Sequence, residues 1–246
     1  MSIDILNGSL GNILNFLAAA GGLGTASFGL VDATKAIRGG VSNSGFGYVR
    51  KAVEPLIDGQ SGSKIFGKAD IIATLKANWL NGVAKADQKA IAKSLIRLGL
   101  TSDNADKLAD VTGVDPSELK TCAENIRKGV ALTQQDFNIL GRFDAIVSAV
   151  LDEGYERADQ QYRNTSKLLA GIASIVLAVV AGGLIFSTTY ADTQAPLSHK
   201  IYDYLRSAQL LTALFVGAIS TPLAPVAKDL ASSLTAAVNV VGAVKK

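Results

Sequence analysis

The chain of 246 residues has one cysteine, one histidine and five prolines, and aromatic residues make up only 6% of it. A single Cys excludes an internal disulfide and any cysteine metal cluster. Cys122 itself reads as a small hydrophobe on the buried face of a helix. His199 is distant in the sequence, so no Cys–His catalytic pair is expected. No paired metal-ligand spacing appears. The run Gly21-Gly22-Leu23-Gly24 is a poor phosphate cradle, because no strand precedes it and no Lys follows closely. No alternating apolar–polar pattern of strand length is present. The net charge of +3 is too small to argue for a nucleic-acid partner. No cofactor and no enzymatic activity are expected.

Charge is also missing from three long apolar runs, Leu10–Val31, Leu168–Thr189 and Ala208–Ala227. Each is long enough to cross a hydrocarbon layer of roughly 30 Å. Ion-coupled transporters and proton pumps generally carry an ionisable group near mid-membrane, so its absence argues against that class. The first run resembles a signal peptide at Ala18-Ala19-Ala20. Its leader has no Lys or Arg, however, and the apolar run continues past that point, so a retained membrane helix is expected.

What the chain has in quantity is small and apolar residues: it is 48% hydrophobic and holds 24 Gly. Its mean hydropathy is +0.28. The segment from Thr133 to Tyr190 organises the rest. Thr133 is a good N-cap and Asp136 suits the positive end of a helix. Phe137, Leu140, Phe143, Val147, Val150 and Leu151 recur at helical steps, and the uncharged second half follows with no proline between. This predicts one helix that starts in a folded domain and ends across a membrane.

Before it, helices are predicted over Lys68–Leu80, Ala86–Leu98, Ser102–Thr112 and Pro116–Lys128, closed by Asn81-Gly82, Gly99, Gly113 and Gly129. Asp115-Pro116 is a start signal. A short helix, Tyr48–Ile57, is expected within a glycine- and serine-punctuated connector, with Asn43-Ser44-Gly45 as a turn. After the long helix a loop is expected from Ala191 to Arg206. The third apolar run carries Pro222 and Pro225, and Thr221 is placed to cap a fresh helix there, so a kink or break is expected. Leu230, Leu234, Val238 and Val241 mark a final amphipathic helix.

The expected fold is therefore all-α: an integral membrane protein with three transmembrane helices, a cytoplasmic helical domain, and one long helix continuous from that domain into the second crossing. The divisions are an N-terminal segment with the first crossing (1–34), a Gly/Ser-rich connector (35–67), the cytoplasmic domain (68–166), the second crossing (167–190), an external loop (191–206), a Pro-kinked third crossing (207–228) and a C-terminal amphipathic helix (229–246). Lys35, Arg38, Arg50, Lys51, Arg163 and Lys167 flank the apolar runs. The positive-inside rule then puts the N-terminus outside and the C-terminus in the cytoplasm of a plasma (bacterial inner) membrane.

Small residues recur at four-residue spacing in each apolar run: Gly21, Thr25 and Gly29, with Ala18, Gly22 and Ala26 beside them; Ala170, Ser174, Ala178 and Gly182; Ala213, Gly217 and Thr221. Such stripes let helix backbones approach closely in lipid. They point to an assembly, scaffold or accessory subunit that associates with itself or with a larger membrane complex. The alternative is an oligomeric channel lined by Asn12, Asn15, Thr25 and Ser27. Lys85, Lys89, Lys93 and Arg97 form a basic stripe on one helix, which would meet anionic lipid headgroups or an acidic partner, or remain a solvated face.

Residues 100–122 resemble a helix-turn-helix unit through Leu108-Ala109, Gly113-Val114, Leu119 and Cys122. The resemblance implies two helices crossing at a glycine turn, which would suit a membrane-tethered regulator with a protein partner. DNA binding is not expected. Asp103, Asp106, Asp110, Asp115, Glu118 and Glu124 outnumber the nearby Lys107, Lys120, Arg127 and Lys128, and phosphate contact dominates DNA affinity.

Overall fold

The computed structural model describes residues 3–58, 67–189 and 194–244, and among them the regular elements are helical with no strand. The α-helices are α1 (Ile3–Ala33), α2 (Asn43–Val53), α3 (Lys68–Leu80), α4 (Lys85–Leu98), α5 (Ala105–Thr112), α6 (Pro116–Lys128), α7 (Gln134–Thr189), α8 (Leu197–Leu205) and α9 (Ala208–Val244). Three helical stretches, Asn15–Ala36, Gln134–Thr189 and Ala208–Leu230, are long and apolar enough to cross a membrane. The chain divides into a central unit, Arg38–Arg163, and an apolar unit made of Met1–Ile37 with Asn164–Lys246.

In the central unit, side-chain hydrogen bonds cap the starts of α6 and α7 and hold the turn ahead of α5. Asp115 accepts the Glu118 backbone N–H at 2.9 Å through Oδ1, with Pro116 at the first helical position. Asn104 is buried ahead of α5; its Oδ1 accepts from the Thr101 N–H at 2.8 Å and its Nδ2 donates to the Gly99 carbonyl at 2.7 Å. At the start of α7 the Asp136 carboxylate accepts from both the backbone N–H and the hydroxyl of Thr133, each at 2.8 Å. Thr133 Oγ1 in turn accepts the Asp136 N–H at 3.2 Å, so each residue caps the other. Gly129 ends α6 in the left-handed region (φ 67°), where a glycine carries no Cβ penalty.

The core of this unit joins α2 through α7. Ile71, Leu75, Ile96, Leu108, Leu119, Phe143, Val147, Leu151 and Tyr155 are buried together with Phe46, Val49, Val53, Leu56 and Ile57. Each such side chain contributes about 1.5–3 kcal/mol of transfer free energy. The last five lie in the stretch expected as a connector, which supplies core residues instead. Asn43-Ser44-Gly45 is likewise the first turn of α2 and not a separate turn. A Cβ at Gly45 would fall 2.8 Å from Trp79 Cζ2 and closer still to the Ala158 carbonyl, so this glycine permits close helix packing. Trp79 Nε1 donates to the Ser42 carbonyl at 2.7 Å, tying the same segment down. The Gly59-Gln60-Ser61-Gly62 run lies outside the described residues, as does Tyr190.

In the apolar unit, two readings change. A helix, α8, occupies much of the expected loop between Ala191 and Arg206. The prolines Pro222 and Pro225 lie inside α9, which runs on without a fresh start at Thr221. Each proline removes one backbone donor and its ring crowds the carbonyl four residues earlier, which kinks a helix where it does not end it. Both are exposed, while Ser220 and Ala224 on the opposite side are buried in contact with α1. Packing on that side holds the helix through the missing bonds. Of the expected terminal stripe only Leu230 is among the described side chains, and it is exposed.

Candidate helix-packing site

The small residues of α7 meet those of α9. Ala170 and Ser174 are fully buried, and Ala178 and Ala213 nearly so. A Cβ at Gly217 would lie 2.6 Å from Ile175 Cα and 3.1 Å from the Ser174 carbonyl, while one at Gly182 would lie 3.1 Å from Ala213 Cβ. Gly182 thus faces Ala213 and residues 174–175 face Gly217, which is the order of an antiparallel pair. The larger Leu168, Ile172, Val176, Val180, Leu184 and Ile185 of α7, with Leu211, Phe215 and Val226 of α9, are exposed. Small residues therefore sit between the helices and bulky ones around them. The hydroxyl of Ser174 is buried without a hydrogen-bond partner.

The face that α1 turns to α9 is shifted from the expected one. Ala20, Ser27 and Val31 are buried, and a Cβ at Gly24 would lie 2.7 Å from the Ser220 carbonyl carbon and 3.0 Å from Ala224 Cβ. Of the stripe Gly21, Thr25 and Gly29, only Gly21 belongs to this contact, where a Cβ would overlap that of Ala227. Thr25 is exposed and donates to its own helix at the Gly21 carbonyl (2.9 Å), and Gly29 has open space where a Cβ would sit. Ser27 donates to the Leu23 carbonyl at 2.8 Å and is buried, so in this packing it lines no lumen. Asn15 is exposed, and Asn12 falls outside the described side chains. The buried set, Ala20, Gly24, Ser27 and Val31, was readable as a three- and four-residue step; the glycines one position away masked it.

Direction matters here. Gly21 meets Ala227 and Gly24 meets Ser220, so α1 and α9 run antiparallel. The first and third crossings of a three-crossing chain always run in the same direction. The observed pair is therefore not the one an external N-terminus and a cytoplasmic C-terminus would produce.

In the central unit, the basic stripe of α4 is paired with an acidic stripe of α7. Lys85 meets Glu156 at 2.6 Å, Lys89 meets Asp152, and Lys93 and Arg97 each lie 3.3 Å from the same Asp144 oxygen. The four cations face an intramolecular partner. Asp152 and Glu156 were visible in the sequence, but only the fold shows that their helix lies beside α4.

Cys122, Tyr155 and Asp136 are held in packing and capping contacts of the central unit. Cys122 is fully buried, and burial, with Asp136 beside it, pushes its thiol up to about 11. Tyr155 is buried against Trp79 with ring centroids 6.4 Å apart, and burial raises its hydroxyl to about 12. The hydrogen bonds from Thr133 hold the Asp136 carboxyl below the usual carboxylate range. Among the described residues, no group of His, Cys, Asp and Glu is placed to hold a metal ion. Compared with known proteins, the chain matches no protein family, no curated sequence and no solved structure.

Proposed function

We propose that this protein is a non-enzymatic membrane-embedded assembly or scaffold subunit, which associates with copies of itself or with a larger complex through small-residue helix packing. One observation carries the reading. After the intrachain contacts are made, α1 still presents Ala18, Gly22, Thr25, Ala26 and Gly29 as an exposed small-residue face, and a Cβ at Gly22 or Gly29 would meet nothing within 4 Å. In lipid, burying large side chains gives no hydrophobic gain, and surfaces of this kind associate by close backbone approach.

In this reading the apolar part of α7 and the antiparallel α9 form the membrane-crossing hairpin. The cationic residues Lys35, Arg38, Arg50, Lys51, Arg163 and Lys167 favour the cytoplasmic side of a plasma (bacterial inner) membrane for the central unit. Two crossings return the C-terminus to that side. They also accord with the antiparallel α1–α9 pair, which three crossings do not: α1 then lies in the bilayer against α9 without crossing it, and the N-terminus shares the cytoplasmic side.

The test is the mass of the native particle in mild detergent. Gly22→Leu and Gly29→Leu should each reduce the wild-type assembly without lowering its thermal stability. Gly24→Leu, inside the intrachain contact, should lower stability. A monomeric wild type, or an assembly unchanged in both outer-face variants, removes the reading.

A further inference from the structure

We propose that α8 is an interfacial helix whose partner is the lipid bilayer surface, with one edge in the acyl region and the other in water. The inference rests on the membrane-embedded reading above. Leu197, Ile201 and Leu205 follow one another at four-residue steps along a nine-residue helix. They are 69%, 49% and 55% exposed, so they form a continuous apolar line that no described residue covers, not single scattered side chains. His199 and Asp203 are exposed on the other side. At ~1.5 Å per residue, α8 is too short to cross ~30 Å of hydrocarbon. It is also too short to persist by helix propensity alone.

Its own anchor is Tyr204, which is buried against α7. The Tyr204 hydroxyl donates to the Val179 carbonyl at 3.0 Å, and its ring lies 5.6 Å from that of Phe186. This fixes the C-terminal part of α8 beside residues 179–186, within the last three turns of α7 and just ahead of α9; Leu184 and Ile185 of α7 and Leu211 and Phe215 of α9 are exposed as well. The Arg206 guanidinium stacks 4.4 Å over the half-exposed Tyr202 ring. An aromatic ring with a cationic rim suits the headgroup level. An amphipathic helix so placed sinks its apolar edge about 5–10 Å into the headgroup–acyl boundary.

Spin labels on single cysteines in a Cys122→Ser background, in the full chain in phosphatidylcholine vesicles, test this. The variants are Ile201→Cys, Asp203→Cys and, on the exposed face of α7, Val176→Cys. Oxygen should outcompete a water-soluble nickel chelate at 176 and 201, and the chelate should win at 203. Labels stepped from 197 to 205 should repeat that contrast every three to four residues. If 176 favours oxygen but 201 favours the chelate, α8 lies in water and this proposal falls alone. If 201 is shielded from both probes, protein covers the edge and the lipid assignment is wrong. If 176 also favours the chelate, the membrane reading falls and takes this one with it.

Discussion

Tyr204 donates its hydroxyl to the backbone carbonyl of Val179 at 3.0 Å, and its ring rests against Gly182 and Gly183 of the same helix. A carbonyl has two lone pairs, so this bond adds to the helical one. A Cβ at Gly182 would stand 2.6 Å from the tyrosine oxygen. Tyr204→Phe should cost about 0.5–1.5 kcal/mol, the usual worth of one hydrogen bond. Gly182→Ala should cost more, because it pushes the ring off its seat. In the double variant the second change should cost less than alone, and thermal unfolding in detergent measures the coupling. Additive effects would mean that the two residues do not share one contact.

Asp144 is the centre of the ion pairs between α4 and α7, with Lys93 and Arg97 each 3.3 Å from one of its oxygens. Its side chain is 23% exposed, the least of the three acidic partners. Asp144→Asn should lower stability by about 1 kcal/mol, whereas Glu156→Gln should fall at the low end of the ~0.2–1 kcal/mol range for exposed pairs. The difference between Asp144→Asn and wild type should narrow as salt is raised toward about 1 M, where the Debye length is ~3 Å. Denaturant unfolding at two salt concentrations reads both effects.

The capped start of α7 makes stability depend on acid. The Asp136 carboxyl titrates below the usual range in the folded chain because Thr133 donates to it. Its contribution is present in full above the unfolded value of about 3.9 and is lost as pH falls through the lower folded value. The acid limb of the stability profile should be shallower in Asp136→Asn. Thr133→Ala should cost ~1 kcal/mol at neutral pH, as loss of an N-cap does. An acid limb identical to wild type in Asp136→Asn would show that other carboxylates control it.

Cysteine labelling in intact cells distinguishes two crossings from three. The same Cys122→Ser background leaves only the introduced thiol to react. A cysteine replacing Thr193 should react with a membrane-impermeant thiol reagent from outside, and cysteines replacing Ser2 or Lys107 should be shielded. External labelling at Ser2 would restore the third crossing, and α1 would then have to part from α9.

Much of the central unit was legible because its signals are local. Asp115-Pro116, Thr133 with Asp136, and Gly129 act on the backbone within one turn, so α6 and the start of α7 could be placed from sequence. The three apolar stretches were legible for the same kind of reason, since length and absence of charge need no partner. Tertiary packing decided the rest. Gly45 read as turn punctuation, yet it lies where a Cβ would strike Trp79 and Ala158, a contact between segments distant in sequence. Pro222 and Pro225 read as a kink or break, and the helix, packed on its other side, runs on through them without a break. Lys85, Lys89, Lys93 and Arg97 read as a stripe for anionic lipid, an acidic partner or solvent, and only the fold shows that the acidic groups are Glu156, Asp152 and Asp144 of α7. Among the small residues, composition determined that close packing was available. Which of Gly21, Gly22, Gly24 and Gly29 met α9 depended on the rotation and direction of α1, and a one-residue shift turns a helix face by about 100°.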